Sequence, residues 1–195
     1  VIKLLSMYGK IFGEVKPVFR RFAMIDDVLY IDMGTSDFAM IKITGKKVSI
    51  IYDSSIKFIR SKVQRPIGGV PLHSVAKYLT LLKRYIPFKT EDDFVLFVSW
   101  LLACLNTEGG YPILFLVGEQ GSAKSTTCKF IKELLDASSV LLRNLPNNEK
   151  ELMIAANNDF ILCFDNISKL TKAQSDYLCK LATGASWRKN QRNYR

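Results

Sequence analysis

The chain has 195 residues, 48% of them hydrophobic, with 28 lysines and arginines against 18 acids, four cysteines and one histidine. That is enough apolar material to bury a core in one or two domains. The longest apolar run, residues 94–105, is 12 residues long and broken by Ser99, too short to cross a membrane, and the lone His73 leaves a histidine-rich metal site or a Ser-His-Asp triad without support.

The formal net charge of +10 is unevenly placed: residues 1–89 hold 16 basic side chains against 6 acids, and residues 90–195 hold 12 of each. A field of one sign over one region favours a polyanionic partner, nucleic acid first, although a scattered lysine-rich surface also keeps a protein soluble. Lys3 and Lys10 bracket only a short apolar segment with no signal-peptide cleavage pattern,. Cys104, Cys128, Cys163 and Cys179 are far apart and form no C-x-x-C pair, so they read as reduced core residues of a cytoplasmic protein.

In chain order, residues 15–60 read as strands. Runs at 28–33, 38–44 and 47–52 are rich in β-branched and aromatic residues and are separated by Gly34-Thr35-Ser36 and Gly45-Lys46, which predicts a small antiparallel meander with one wet face. The Pro-Ile-Gly-Gly-Val-Pro loop at 66–71 closes this unit,. A β-rich region over 1–71 and a second domain over 72–195 are therefore expected. A helix is predicted over 73–84, stopping before Pro87. Another opens at Thr90-Glu91-Asp92-Asp93 with a capping-box pattern and runs, mostly apolar and buried, to Leu105,.

The apolar run YPILFLV (111–117) predicts a buried strand, and the helical pattern over 127–135 a helix; between them lies GEQGSAKST, residues 118–126. This is the layout of a phosphate-binding loop. Gly118 and Gly121 permit a tight turn whose amides point inward, with Glu119, Gln120, Ser122, Ala123 and Thr126 completing the cradle. The helix N-terminus adds partial positive charge, Lys124 a mobile cation, and Ser125 a hydroxyl for Mg²⁺. Ala123 stands where the usual pattern has glycine; a methyl group is tolerated there if the backbone angles are ordinary.

Further on, 138–142 is predicted as a short strand, 148–157 as a helix, and FILCF (160–164) as a buried parallel strand that presents Asp165 at its C-terminal end. A carboxylate there is suited to the metal of a bound nucleotide. Its neighbour is Asn166, whose amide orients a water but accepts no proton. Glu119, Glu149 and Glu151 are the alternatives for a base, the last two equally readable as a solvated helix face. A helix over 175–182 precedes Thr183-Gly184. The basic tail 187–195, with Arg188, Lys189, Arg192 and Arg195, reads as an arginine finger, a DNA contact or a plain chain end.

Together GEQGSAKST (118–126), LPNNEKELMIAA (145–156), ILCFDN (161–166) and SDYLCKLATG (175–184) resemble ATP-binding proteins of phages, prophages and mobile elements. That group is related to the helicase modules of phage and plasmid primase–helicases and, through them, to superfamily 3 helicases of the AAA+ class. The resemblance covers residues 90–184 and, more weakly, the β-rich first half. It implies an α/β fold: a P-loop NTPase core with a parallel sheet, preceded by a small antiparallel β-rich region and helices. It also implies an ATP-hydrolysing motor that assembles as a homo-oligomeric, usually hexameric ring on single-stranded or forked DNA during replication. Lys124 is then assigned to the phosphates, Ser125 and Asp165 to Mg²⁺, and Asn166 to an Asp-Asn pair. The strand bearing a polar sensor residue is expected beyond Arg195, as in a fragment of a longer protein. A P-loop small-molecule kinase and an ATP-gated assembly switch with little turnover are the competing readings.

Overall fold

The computed structural model describes residues 2–13, 16–45, 47–52, 55–68, 75–106 and 110–184; His73 and the basic tail 187–195 lie outside them. The fold is mixed α/β. It opens with helix α1 (Ile2–Phe12), followed by short strands β1 (Val18–Phe19), β2 (Phe22–Ile25), β3 (Val28–Asp32), β4 (Met40–Thr44), β5 (Lys47–Ile51) and β6 (Lys57–Phe58). Helices α2 (Val75–Tyr85), α3 (Glu91–Ala103), α4 (Lys124–Asp136), α5 (Glu149–Ala156) and α6 (Lys172–Ala182) complete the chain.

The expected meander is present and gains a strand. β2 to β5 form a four-stranded antiparallel sheet in sequence order. Ile25 pairs with Val28, so Asp26 and Asp27 make a two-residue hairpin loop, and both have positive φ (50° and 60°), the backbone of a type I′ turn. Sequence alternation buries Met33, Ala39 and Ile41 in a small core.

The parallel pairing lies elsewhere than expected. β1 pairs in parallel with β6, whereas residues 111–117 and 160–164 form no ladder among the described residues. In the first segment Ile113, Phe115 and Val117 are exposed and Leu114 and Leu116 half-buried. It is thus extended and alternating but open on one face, not buried. In the second, side chains of α4 take the place of a neighbouring strand. Asp136 Oδ2 accepts from the amides of Phe160 (2.8 Å) and Ile161 (3.1 Å), and Lys132 Nζ donates to the Ile161 carbonyl (2.6 Å). Residues 138–142 likewise form no strand, contributing one antiparallel bridge, Ser138 to Gln64; a parallel bridge joins the next residue, Arg143, to Phe164.

The main core gathers Ile86, Phe97, Cys104, Ile131 and Leu135, with Phe88, Trp100, Phe130 and Ile161 packed against them. Burial of each large apolar side chain stabilises by about 1.5–3 kcal/mol, and this cluster seats α4 against α3. The capping box of α3 is formed as the sequence predicts: the Thr90 hydroxyl accepts from the Asp93 amide, and the Asp93 carboxylate accepts from the Thr90 amide. The helix is not buried throughout, however. Phe94 and Phe97 face the core while Val95, Leu96 and Leu102 are exposed, because the apolar run, interrupted only by Ser99, winds around the whole helix and only one arc is covered,.

The β-rich unit docks on the far end of α4. The Arg65 amide bonds the Ala137 carbonyl, and the Ser139 amide bonds that of Val63 (both 2.8 Å). The Phe22 and Phe160 rings meet at 4.7 Å.

Candidate functional site

Residues 118–123 turn sharply into α4. Gly121 has φ +84°, a conformation that suits only glycine well. At Gly118 an added Cβ would come within 2.6 Å of Ser122 Oγ, so that hydroxyl would have to turn away. Ala123, the N-cap of α4, has φ 59° and ψ 17°. Its backbone is left-handed, so the condition of ordinary angles under which a methyl group is tolerated there is not met; for a residue with a Cβ this costs about 1–2 kcal/mol. Ala123 also provides no side-chain cap, leaving the first-turn amides of α4 as donors without that acceptor.

Lys124 folds back over the loop. Its Nζ donates to the carbonyls of Gly118 (2.7 Å) and Glu119 (2.5 Å) and to Ser122 Oγ (3.1 Å). The ammonium group therefore sits against two carbonyls and a hydroxyl of the loop at the head of α4.

Asp165 and Asn166 line the same open cleft as Lys124 and Ser125. The Asp165 amide donates to the Arg143 carbonyl (3.0 Å), and its carboxylate accepts from the Asn166 amide (2.9 Å). Asn166 has φ 56°, which asparagine tolerates better than most residues. Gly118, Gln120, Gly121, Ser122, Ala123 and Thr126 also line the cleft. Glu149 and Glu151 do not; Glu149 lies 3.3 Å from Lys180 Nζ in an ion pair.

An ionic cluster that the sequence did not disclose reaches the cleft wall at Arg143 and Asp159. Lys132, 1% exposed, reaches Asp136 (2.7 Å) and Asp159 (2.9 Å). Arg143 grips Asp159 (2.6 Å), and Arg21, also 1% exposed, bonds Asp136 (3.3 Å) and the carbonyls of Asp32, Arg65 and Ala137. The available signal was the four-residue spacing of Cys128, Lys132 and Asp136, which places two charged groups on one arc of α4 next to the apolar Ile131 and Leu135.

Four free thiols are present. Burial pushes the Cys104 and Cys163 thiols up to about 12. Burial first, and then the Asp165 carboxylate, hold Cys128 above its ordinary value. Cys179 is exposed on α6, against the expectation that all four are core residues: the apolar face of that helix runs through Leu178 and Leu181 instead.

A family model for actinomycete integrative conjugative element replication proteins matches residues 79–192. The chain belongs to this family. The replication-protein match takes in α3 to α6, and with them the loop at 118–126, Asp165 and the ionic cluster on α4. No curated protein and no solved structure matches the chain. Among the described residues, no helix is long and apolar enough to cross a membrane.

Proposed function

We propose that this chain is the ATP-binding and ATP-hydrolysing module of a mobile-element replication protein, a motor acting on DNA as a homo-oligomeric ring. The observation that carries the reading is the Lys124 ammonium held inside the 118–123 loop at the head of α4, with Ser125 and Asp165 lining one cleft.

The donor set fits a triphosphate and Mg²⁺. Lys124 exchanges its carbonyl partners for the terminal phosphates, and the amides of the loop and of the first turn of α4 hold the remaining oxygens. Among the described residues no group of three or more His, Cys, Asp or Glu gathers to hold a metal. Mg²⁺ would be held by the Ser125 hydroxyl, the Asp165 carboxylate, phosphate oxygens and water, the mixed shell this ion prefers. When bound, it neutralises charge on the phosphates. The exposed Asn166 amide orients water at the mouth of the site.

The cleft is about 2470 Å³ and open to solvent, well beyond the roughly 300–1,000 Å³ of a pocket shaped to one small molecule. The match to a replication-protein family supports the motor over a small-molecule kinase. Asn166 in place of an acid favours, as the second reading, an assembly switch that binds ATP and turns it over slowly. The deciding experiment measures ATP binding and turnover with and without single-stranded DNA, in wild type and Lys124→Ala. The motor reading expects turnover stimulated several-fold by DNA and lost in Lys124→Ala while the circular dichroism spectrum is kept. Tight binding without turnover selects the switch, and an unaltered ATP affinity in Lys124→Ala removes the site assignment altogether.

A further inference from the structure

We infer that Lys132 and Asp159, remote from the loop, are positioning residues that set the height of Asp165 opposite Ser125 and so tune the metal site; this rests on the ATP reading above. The argument is one of register between α4 and the extended segment 160–165, which runs back along it. Lys132 Nζ bonds the Ile161 carbonyl at 2.6 Å. One helical turn nearer the loop, Cys163 Sγ lies 3.6 Å from the Cys128 carbonyl.

From the first contact to the second the helix retreats four residues, about 6 Å, and the extended segment advances two, about 6.6 Å. The two steps match. Continuing inward, three residues on the helix, about 4.5 Å, reach Ser125 on the same face, and two on the segment, about 6.6 Å, reach Asp165. The influence of Asp165 on the Cys128 thiol agrees with this neighbourhood.

Two observed contacts in line therefore join α4 to the segment, and the one at Lys132 has buried charges behind it. Asp136 secures the amides of Phe160 and Ile161. Asp159, the residue preceding them, is held in turn by Lys132 and Arg143. Arg143 closes the frame from the other side, since its own backbone carbonyl accepts from the Asp165 amide. Sliding the segment would uncouple the buried Lys132 ammonium from Asp159 and the Ile161 carbonyl, and Asp136 from two amides, so the register is fixed before any ligand arrives,.

The test compares wild type with Lys132→Met and Asp159→Asn. In Lys132→Met each carboxylate keeps an arginine partner, and Asp159→Asn nearly preserves shape. Two affinities are measured: ATP in EDTA, and Mn²⁺ in the presence of saturating ATP, the latter by electron paramagnetic resonance. The inference expects Mn²⁺ affinity to fall by about tenfold or more, the scale of outer-shell effects at metal sites, with metal-free ATP affinity within about twofold of wild type. A purely structural role lowers the folded fraction and leaves the Mn²⁺ affinity of the folded molecules unchanged. That result, or a parallel loss of metal-free ATP binding, overturns the inference while leaving the ATP reading standing. Wild type that binds no ATP in EDTA or with Mn²⁺ overturns both.

Discussion

At the scale of single residues, the loop is governed by two backbone conformations that L-amino acids adopt reluctantly. Gly121 adopts its own at little steric expense, but Ala123 holds φ 59° with a methyl group attached. Relief of left-handed strain is worth about 1–2 kcal/mol, against about 0.5–1 kcal/mol of extra backbone entropy lost by a glycine on folding. Ala123→Gly is therefore expected to stabilise the chain by roughly 0.5–1 kcal/mol, read as a higher urea midpoint at unchanged slope. A lower midpoint would mean that the methyl group makes contacts worth more than the strain. The motif itself was legible in the sequence because its chemistry is local: glycines, a lysine and a hydroxyl at fixed spacing. The strain at Ala123 was not, since residue identity alone does not report φ.

At the scale of elements, the β2–β3 hairpin turns on Asp26 and Asp27, both left-handed and both exposed. Aspartate tolerates that region, but a type I′ turn favours glycine at its second position. Asp27→Gly is expected to add up to about 1 kcal/mol to stability, seen as a rise in thermal midpoint with no change in far-ultraviolet circular dichroism. Without an Asn-Gly or Asp-Gly signal, this hairpin and strand β2 escaped the sequence reading. The β3–β4–β5 alternation did not.

The capping box at Thr90 was equally legible, being a four-residue pattern whose partners are neighbours in sequence. Residues 160–164 could not be read as they fold. Their β-propensity is plain, yet their backbone partners are Asp136 and Lys132, more than 20 residues away on a helix. Long-range satisfaction by side chains leaves no local trace. The same is true of Arg21, whose guanidinium ties four points in sequence together.

At the scale of the whole molecule, charge and architecture divide alike. The antiparallel sheet belongs to the basic first 89 residues, and the loop, Asp165 and the buried ion pairs of α4 belong to the electroneutral remainder. Arg21 and the 61–67 segment join the two units at the end of α4 opposite the loop. A DNA strand attracted by the β-rich unit would act on the proposed ATP site through that joint. If replication is the role, binding to single-stranded DNA must be dominated by counterion release, with log affinity falling linearly in log salt and each phosphate contact contributing about 0.7 to the slope.

Lys47 on β5 and Lys62 beyond β6 are exposed cations of this unit. Lys47→Glu and Lys62→Glu are expected to weaken binding of an oligothymidine similarly to that of mixed-sequence strands, and each to lower the salt slope by about 0.7 or more. Fluorescence anisotropy across a salt series reads both quantities. Lys47 lies off α4, its ionic frame and the cleft, so in Lys47→Glu ATP affinity in the absence of DNA should stay at the wild-type value; Lys62 lines the cleft and does not serve as that control. Affinity for DNA that is flat in salt, or unchanged in both variants, would move the nucleic-acid surface away from the β-rich unit and leave its charge as a solubilising coat.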